Sequence, residues 1–261
     1  MRFSSSVAMA VCVVLAAGCN GGDAKSRSTG PVTQISTDGK VEVTGENNQL
    51  TEIKDEKPAK TETRRVDSFT RVAISSTIEA DIKIGSPASV VIEANPDYMK
   101  RISTSVSGGT LTVELTGSGN TYSRVKAHIV VPSLDSISAD GASTFFATGL
   151  ASGDFAVNIS GASHGAIGGK VGALKAHLDG SSRLEGIGSA SSCDLTVEAA
   201  SKVNFGRFEV GEAKANCSGA SLVDFGSAKQ LDMVAEGAST IHYAGSPKII
   251  RREADVSSSI N

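Results

Sequence analysis

A hydroxyl returns at a nearly fixed spacing through the last 120 residues of this chain. Ser143, Ser163, Ser182, Ser201, Ser221, Ser239 and Ser258 lie 18 to 20 residues apart. All but the last close a triplet of small residues: Gly141-Ala142-Ser143, Gly161-Ala162-Ser163, Gly180-Ser181-Ser182, Ala199-Ala200-Ser201, Gly219-Ala220-Ser221 and Gly237-Ala238-Ser239. A degenerate copy, Ser257-Ser258-Ser259, follows. A row of serine nucleophiles would need a histidine or lysine base at each site. The four histidines, His128, His164, His177 and His242, fall at unrelated offsets, so the row reads as structure and no catalytic residue is assigned.

Carboxylates are the second candidate for chemistry. Asp140, Asp179, Glu198 and Glu236 share the position three before the serine, interrupted by Ser160 and Ser218. Sugar-cleaving and calcium-binding sites need clustered carboxylates. A broken stripe reads first as a solvated face and second as a metal or sugar site, so no metal ligand and no cofactor is assigned. Walker loops, dinucleotide fingerprints, zinc spacings and catalytic triads are absent from the sequence.

Cysteine chemistry is concentrated at the amino terminus. Arg2 precedes an uncharged stretch from Phe3 to Val14, and then comes Leu15-Ala16-Ala17-Gly18-Cys19. A charged start followed by about a dozen apolar or small residues is a secretory leader, too short to span a bilayer. The segment resembles a bacterial lipoprotein signal, which implies that Cys19 is acylated and that residues 1–18 are removed. Ala16 stands where the commonest pattern has Leu, and ordinary secretion with cleavage near Ala17 is the alternative. With Asn20 and not Asp after the cysteine, the resemblance implies, for a two-membraned bacterium, the outer membrane over the inner. The expected location is therefore the bacterial cell envelope, lipid-anchored at the outer membrane.

Cys193 and Cys217 differ from Cys19. They occupy different apolar columns of the repeat, four residues apart along the strand, which is about 13 Å at strand rise. A disulfide needs Cα atoms within about 7 Å, so two buried free thiols are expected.

These residues must be positioned by strands. Counting back eight, six and four from each serine gives three columns, of which Phe155, Val157 and Ile159 are the first coil's members and Leu231, Met233 and Ala235 the last's. Polar residues fill the gaps, as in Lys175, His177 and Asp179. This is the period-two alternation of a strand with one buried face. The parity runs forward to Phe145, Leu184, Val203, Val223 and Ile241, then to Ile167, Phe205, Phe225 and Tyr243. Glycine at 149, 168, 188, 206, 226 and 245 closes a turn. Each repeat therefore reads as two short strands, a serine corner and a glycine corner, with the serines stacked inside and sharing hydroxyl hydrogen bonds.

A period of this size marks a solenoid. The expected fold is all-β, a right-handed parallel β-helix-like solenoid with rungs of about 19 residues, right-handed being the usual hand of parallel crossovers. Three segments are expected: 1–18 as signal peptide, 19–63 as a lipidated flexible tether and 64–261 as the head. In the tether, Val41-Glu42-Val43 and Ile53 have strand character. In the first part of the head Val72 to Ile84 alternate, Ser76 is a candidate early member of the serine column, and Asn95-Pro96 opens a helical turn. The last rung near Val256–Ile260 leaves an edge able to pair with another chain, partly capped by Ser257–Ser259.

Composition narrows the partners. With 28 glycines, no tryptophan and 4% aromatics, a large aromatic-lined pocket is not expected. Removing Arg2 with the leader leaves 24 basic side chains against 28 acidic, a formal charge of −4. No basic stripe with interleaved aromatics exists, so nucleic acid is excluded as a partner, and Arg64-Arg65 and Arg251-Arg252 read as solvated surface.

The head resembles the auto-transporter adhesin family known as the head GIN domain. The resemblance is carried by Val66-Asp67-Ser68-Phe69-Thr70-Arg71-Val72, Ser89-Val90-Val91-Ile92-Glu93-Ala94 and Asn95-Pro96-Asp97-Tyr98-Met99. It continues through Gly109-Thr110-Leu111-Thr112-Val113, Ile129-Val130-Val131-Pro132-Ser133-Leu134 and the Gly-Ala-Ser ladder, covering Val66–Asn261. It implies a β-helical solenoid in a bacterial envelope and carries no catalytic residues. The leading functional expectation is a non-enzymatic lipoprotein held to the membrane through Cys19, its head meeting a surface protein or polysaccharide. The alternatives are a carbohydrate-active β-helix enzyme or polysaccharide-binding protein, and a periplasmic envelope scaffold.

Overall fold

A computed structural model describes residues 58–117 and 124–261 together with two strands, β1 (Val32–Ile35) and β2 (Val41–Thr44). Those two strands pair antiparallel and belong to a separate unit, Met1–Asp55. Cys19, the leader and most of the expected tether lie outside the described residues.

The second unit is Glu56–Asn261. It begins with β3 (Lys60–Arg64), β4 (Arg71–Ile74), β5 (Ile78–Ile84) and β6 (Ser89–Ala94). The helical turn α1 (Pro96–Met99) follows, capped by the Asn95 side chain, which accepts the Asp97 N–H at 2.9 Å. Next come β7 (Ile102–Ser107), β8 (Thr110–Leu115), β9 (Val125–Val131) and β10 (Ser136–Ala139). The repeats are β11 (Thr144–Ile159), β12 (His164–Leu178), β13 (Arg183–Val197), β14 (Lys202–Cys217) and β15 (Leu222–Ala235). The chain ends in β16 (Thr240–Tyr243), β17 (Lys248–Ala254) and β18 (Ser259–Ile260).

Among β10 to β18 every pairing is parallel, consecutive strands stacking as far as β16, with β17 on β15 and β18 on β16, giving a solenoid of about seven turns with rungs of about 19 residues. The apolar columns stack in register, as in Val72, Ile137, Val157, Ala176, Leu195, Ala215 and Met233. All seven are at most 4% exposed. Burying each larger aliphatic side chain contributes roughly 1.5–3 kcal/mol. Glycines make room for two of the rings that enter the core. A Cβ on Gly165 would lie 2.3 Å from the Phe145 ring and one on Gly186 2.9 Å from Phe205, so the rings fill what the glycines leave.

Each coil is more divided than two strands. In β12 the buried side chains are Ile167, then Val171, then Leu174, and the step of three breaks the parity. A short middle run, with Val171, Ala190 and Val210 buried in register, therefore separates the two longer faces. Close backbone approach sets its corners. A Cβ on Gly172 would meet the Gly153 carbonyl oxygen at 2.8 Å, and one on Gly211 the Ser191 carbonyl oxygen at 2.2 Å. At the glycine corner the turn residue after β12's first run is Gly169, not Gly168. Gly169 has φ +140°, and its Cβ would stand 2.1 Å from the Leu150 carbonyl oxygen.

The first coils differ. Strands β8, β4 and β10 stack parallel on one face and β9 and β5 on another, but antiparallel strands close them: β7 against β8, and β6 against β9 with β3 outside it on β6. Lys60–Thr63, placed in the tether by the sequence, form most of β3 and pair with β6. β3 carries the exposed polar run Lys-Thr-Glu-Thr and gave no apolar signal, because it is held by backbone pairing and by the Arg64 side chain.

Candidate interaction surface

The serine corner is the most regular part of the coil. Ser143, Ser163, Ser182, Ser201, Ser221 and Ser239 are 0–2% exposed, and Ser258 is half-buried on the last coil. The hydroxyls join two by two: Ser143 with Ser163 at 3.3 Å, Ser182 with Ser201 at 3.2 Å, and Ser221 with Ser239 at 3.2 Å. Each hydroxyl has one proton, which fixes the directions. Ser143 donates to the Asp140 carbonyl (3.0 Å), Ser182 to that of Ile159 (3.3 Å) and Ser239 to that of Glu236 (2.8 Å). Their partners Ser163 and Ser201 must then be the donors within their pairs, while the Ser221 hydroxyl is shared between Ser239 and the Cys217 thiol. The hydroxyls are satisfied and enclosed, and no Oγ–Oγ bond links one pair to the next among the described residues, so the column offers neither a nucleophile nor a proton wire.

Ser76 does not belong to this column. Glu79 pairs with Thr144, which places Ile78 beneath Ser143, while Ser76 sits under Gly141 with φ +72°. Ser76 takes the place of the turn glycine, where only a small residue fits. Ile78 and Val125 continue the column below it as apolar side chains.

The acidic stripe is dispersed into local bonds. Asp140 accepts the Ser160 hydroxyl at 2.9 Å, Asp179 accepts the Gly180 N–H at 2.6 Å, and Glu198 lies 3.8 Å from His177. The same position on the last coil is held by Asp255, which takes the Gly237 N–H at 2.8 Å and the Ser257 N–H and hydroxyl at 3.1 and 3.0 Å. A hydrogen bond from Ser258 first, then those from Gly237 and Ser257, hold its carboxyl down at about 2. Among the described residues no three His, Cys, Asp or Glu side chains gather so as to hold a metal ion.

Three of the histidines, His128, His164 and His177, stand beside carboxylates. His128 lies 3.3 Å from both Asp81 and Glu93, and His164 3.8 Å from Glu185. Of the arginine pairs, Arg64 meets Glu62 at 3.0 Å and donates to the Met99 carbonyl at 3.3 Å. Arg251 meets Asp232 at 2.6 Å and Arg252 donates to the Ile260 carbonyl, so both serve the closing coil. Cys193 and Cys217 are free and buried in different columns of neighbouring coils. Burial pushes the Cys193 thiol far up and the Cys217 thiol to about 11, the latter partly offset by a hydrogen bond with Ser221.

Two surface features were not evident from the serine offsets. One is a column of alternating charge, Lys175, Asp194, Lys214, Asp232 and Arg251, in register over five coils and bordering a groove of about 300 Å³. The other is a groove of about 250 Å³ on the face formed by the first run of each coil. It carries Phe146, 40% exposed, and Ile187, 52% exposed. Phe146, Ala166, Glu185 and Asn204 occupy one outward column on successive coils, each three residues after its serine. Tallying that offset would have exposed the aromatic; following only the inward parity passed over it. Among the described residues no helix is long and apolar enough to cross a membrane.

Comparison with known proteins agrees on the architecture. The family model described as "Putative auto-transporter adhesin, head GIN domain" matches residues 68–247. A "putative adhesin" from Bacteroides fragilis NCTC 9343 is similar in fold, with a TM-score of 0.72 and 17% identity over 78% of this chain and 96% of that one. A "putative lipid binding protein" from Parabacteroides distasonis ATCC 8503 is similar with a TM-score of 0.61 and 16% identity, over 78% and 96%. A "putative adhesin" from Parabacteroides merdae ATCC 43184 has a TM-score of 0.60 and 16% identity over the same shares. None of these is named as an enzyme. No curated protein matches the chain.

Proposed function

The chain belongs to the head GIN domain family, and from that premise we propose that it is an adhesive module without chemistry of its own, anchored to the bacterial envelope by lipid on Cys19. The observation that carries this reading is the regularity of the lateral surface. Side chains stand in register on successive coils about 4.8 Å apart, so a long partner can repeat one contact along the solenoid. The stacked serine hydroxyls and the two thiols are enclosed, and Asp140, Asp179 and Asp255 of the acidic stripe are committed to local bonds. Acyl chains on Cys19 would hold the protein stably, since each buried CH₂ contributes about 0.8 kcal/mol.

The test is a deletion strain compared with one expressing Cys19→Ser. Association of cells with a surface or matrix should fall on deletion, and the substituted protein should leave the membrane fraction. Unchanged association on deletion rejects the adhesive role. Protease shaving of intact cells separates surface display, in which the head is cut, from a periplasmic scaffold, in which it is spared.

A further inference from the structure

We propose that the groove bounded by Phe146 and Arg207 is a binding subsite for an anionic glycan chain, lying across four successive coils. This names the ligand class for the adhesive reading and rests on it.

Small residues form the floor of the groove. Ala166 lies between Phe146 and Glu185 in one outward column, and Gly168 lies between Thr148 and Ile187 in the next. Gly168 is not required by the backbone. It does not adopt positive φ, and a Cβ there would meet nothing closer than 3.8 Å, whereas its neighbour Gly169 has no such room. The fold therefore tolerates a side chain at 168, and the floor is low only because none is present. The trough this leaves is flanked by the exposed ring of Phe146 and the exposed side chain of Ile187.

The polar groups match a sugar more closely than a protein helix or strand. An aromatic face offers an apolar plane to the C–H side of a pyranose ring. Asn204 has its Oδ1 engaged by the Gly206 N–H at 3.1 Å, which leaves its amide donors for a ligand. Arg207 pairs with Ile187 in register, and among the described residues its guanidinium makes no ion pair or hydrogen bond. Phe146 and Asn204 stand three coils apart, about 14 Å, a span suited to several linked rings.

The free guanidinium of Arg207 selects the anionic class. Over its four coils the groove and its adjacent column hold Arg183, Lys202 and Arg207 against Glu185, while the same outward column ends in carboxylates: Asp81, 3.3 Å from His128, beside Phe146, and Asp224 beside Asn204. Glu185 is already met by His164 at 3.8 Å and Arg183 at 4.0 Å. A free guanidinium has the planar fork that receives a carboxylate or sulfate.

The experiment measures binding of the purified full chain to polygalacturonate, alginate and heparin, with dextran as the neutral comparison. At least one anionic polysaccharide should bind, more weakly as salt is raised, and dextran should not. Phe146→Ala and Arg207→Ala should each weaken binding about tenfold, the scale of one lost aromatic contact or charged hydrogen bond. Gly168→Gln should fill the trough and weaken binding while leaving the melting temperature near that of the parent. Phe146→Ala, at an exposed position, keeps the test decisive if Gly168→Gln fails to fold. Absence of binding to every anionic polysaccharide, equal binding of dextran, or indifference to Phe146→Ala and Arg207→Ala overturns the subsite. If the subsite fails while the deletion strain still loses association, only the ligand class falls; unchanged association on deletion rejects the adhesive reading itself.

Discussion

Ser201 donates its hydroxyl to Ser182 across neighbouring coils at 3.2 Å, between side chains that are 0 and 1% exposed. Ser182 in turn donates to the Ile159 carbonyl, so this short chain is satisfied at both ends. Polar groups in a solenoid core are tolerated only in such closed arrangements.

Removing the donor leaves Ser182 with its own donation intact, so Ser201→Ala should cost only about 1 kcal/mol. Ser201→Val should cost more, because one methyl replaces the hydroxyl and a second is added at a side chain that is 0% exposed, and overpacking adds roughly 1–3 kcal/mol. Denaturant unfolding of the two variants should rank them in that order. An equal or greater loss for Ser201→Ala would mean that the hydroxyl column, not the fit of the corner, governs stability there.

The adjacent glycines 168 and 169 make a sharper contrast. Gly169→Ala brings a Cβ to 2.1 Å from the Leu150 carbonyl oxygen at φ +140°, and should destabilise the coil by more than about 3 kcal/mol or prevent folding. Gly168→Ala has ordinary van der Waals room and should change stability by less than about 1 kcal/mol. Thermal melts of the two purified variants check the pair, and equal effects would refute the register at this corner.

Asp255 confers a pH dependence on the last coil. Its carboxyl is lowered from 3.8 to about 2 in the folded chain, chiefly by Ser258 and Gly237. A depressed carboxyl stabilises above its unfolded value, and that stabilisation is lost as pH falls through the folded one. Protection of the Gly237 and Ser257 amides, measured relative to their intrinsic exchange rates, should therefore fall between about pH 4 and pH 2. In Asp255→Asn that fall should be absent, with lower protection already at neutral pH.

The repeats were legible because one residue type stacks on its own kind. Counting from the serines recovers Leu174, Cys193 and Ala213 as neighbours, since nothing intervenes between coils. The middle run was hidden because its parity breaks at a step of three, and Gly168 passed for the turn because the doublet Gly168-Gly169 gives no sign of which residue lies over Leu150. The capping strands β3, β6 and β7 occur once each, so no period marks them. Ser76 misled for a related reason. A small residue suits both the turn and the column, and only the pairing of Glu79 with Thr144 places Ile78 in the column instead. The groove at Phe146 is an outward departure from a pattern read for its inward face.

Thiol chemistry joins the folded core to the proposed anchor. Cys193 is 3% and Cys217 2% exposed, and desolvation pushes both thiols up, Cys217 to about 11. The reactive species is the thiolate, so neither should react with an aromatic disulfide reagent in the native protein at pH 8. Unfolding should release two thiols. If Cys19 carries lipid, the mature membrane-extracted protein should show no fast-reacting thiol before unfolding, whereas Cys19 left free would add one. A fast thiol in the native mature protein, traced by peptide mapping to Cys19, would remove the lipid anchor from the proposed function. The same signal traced to Cys193 or Cys217 would show that their coils open far more readily than this packing allows.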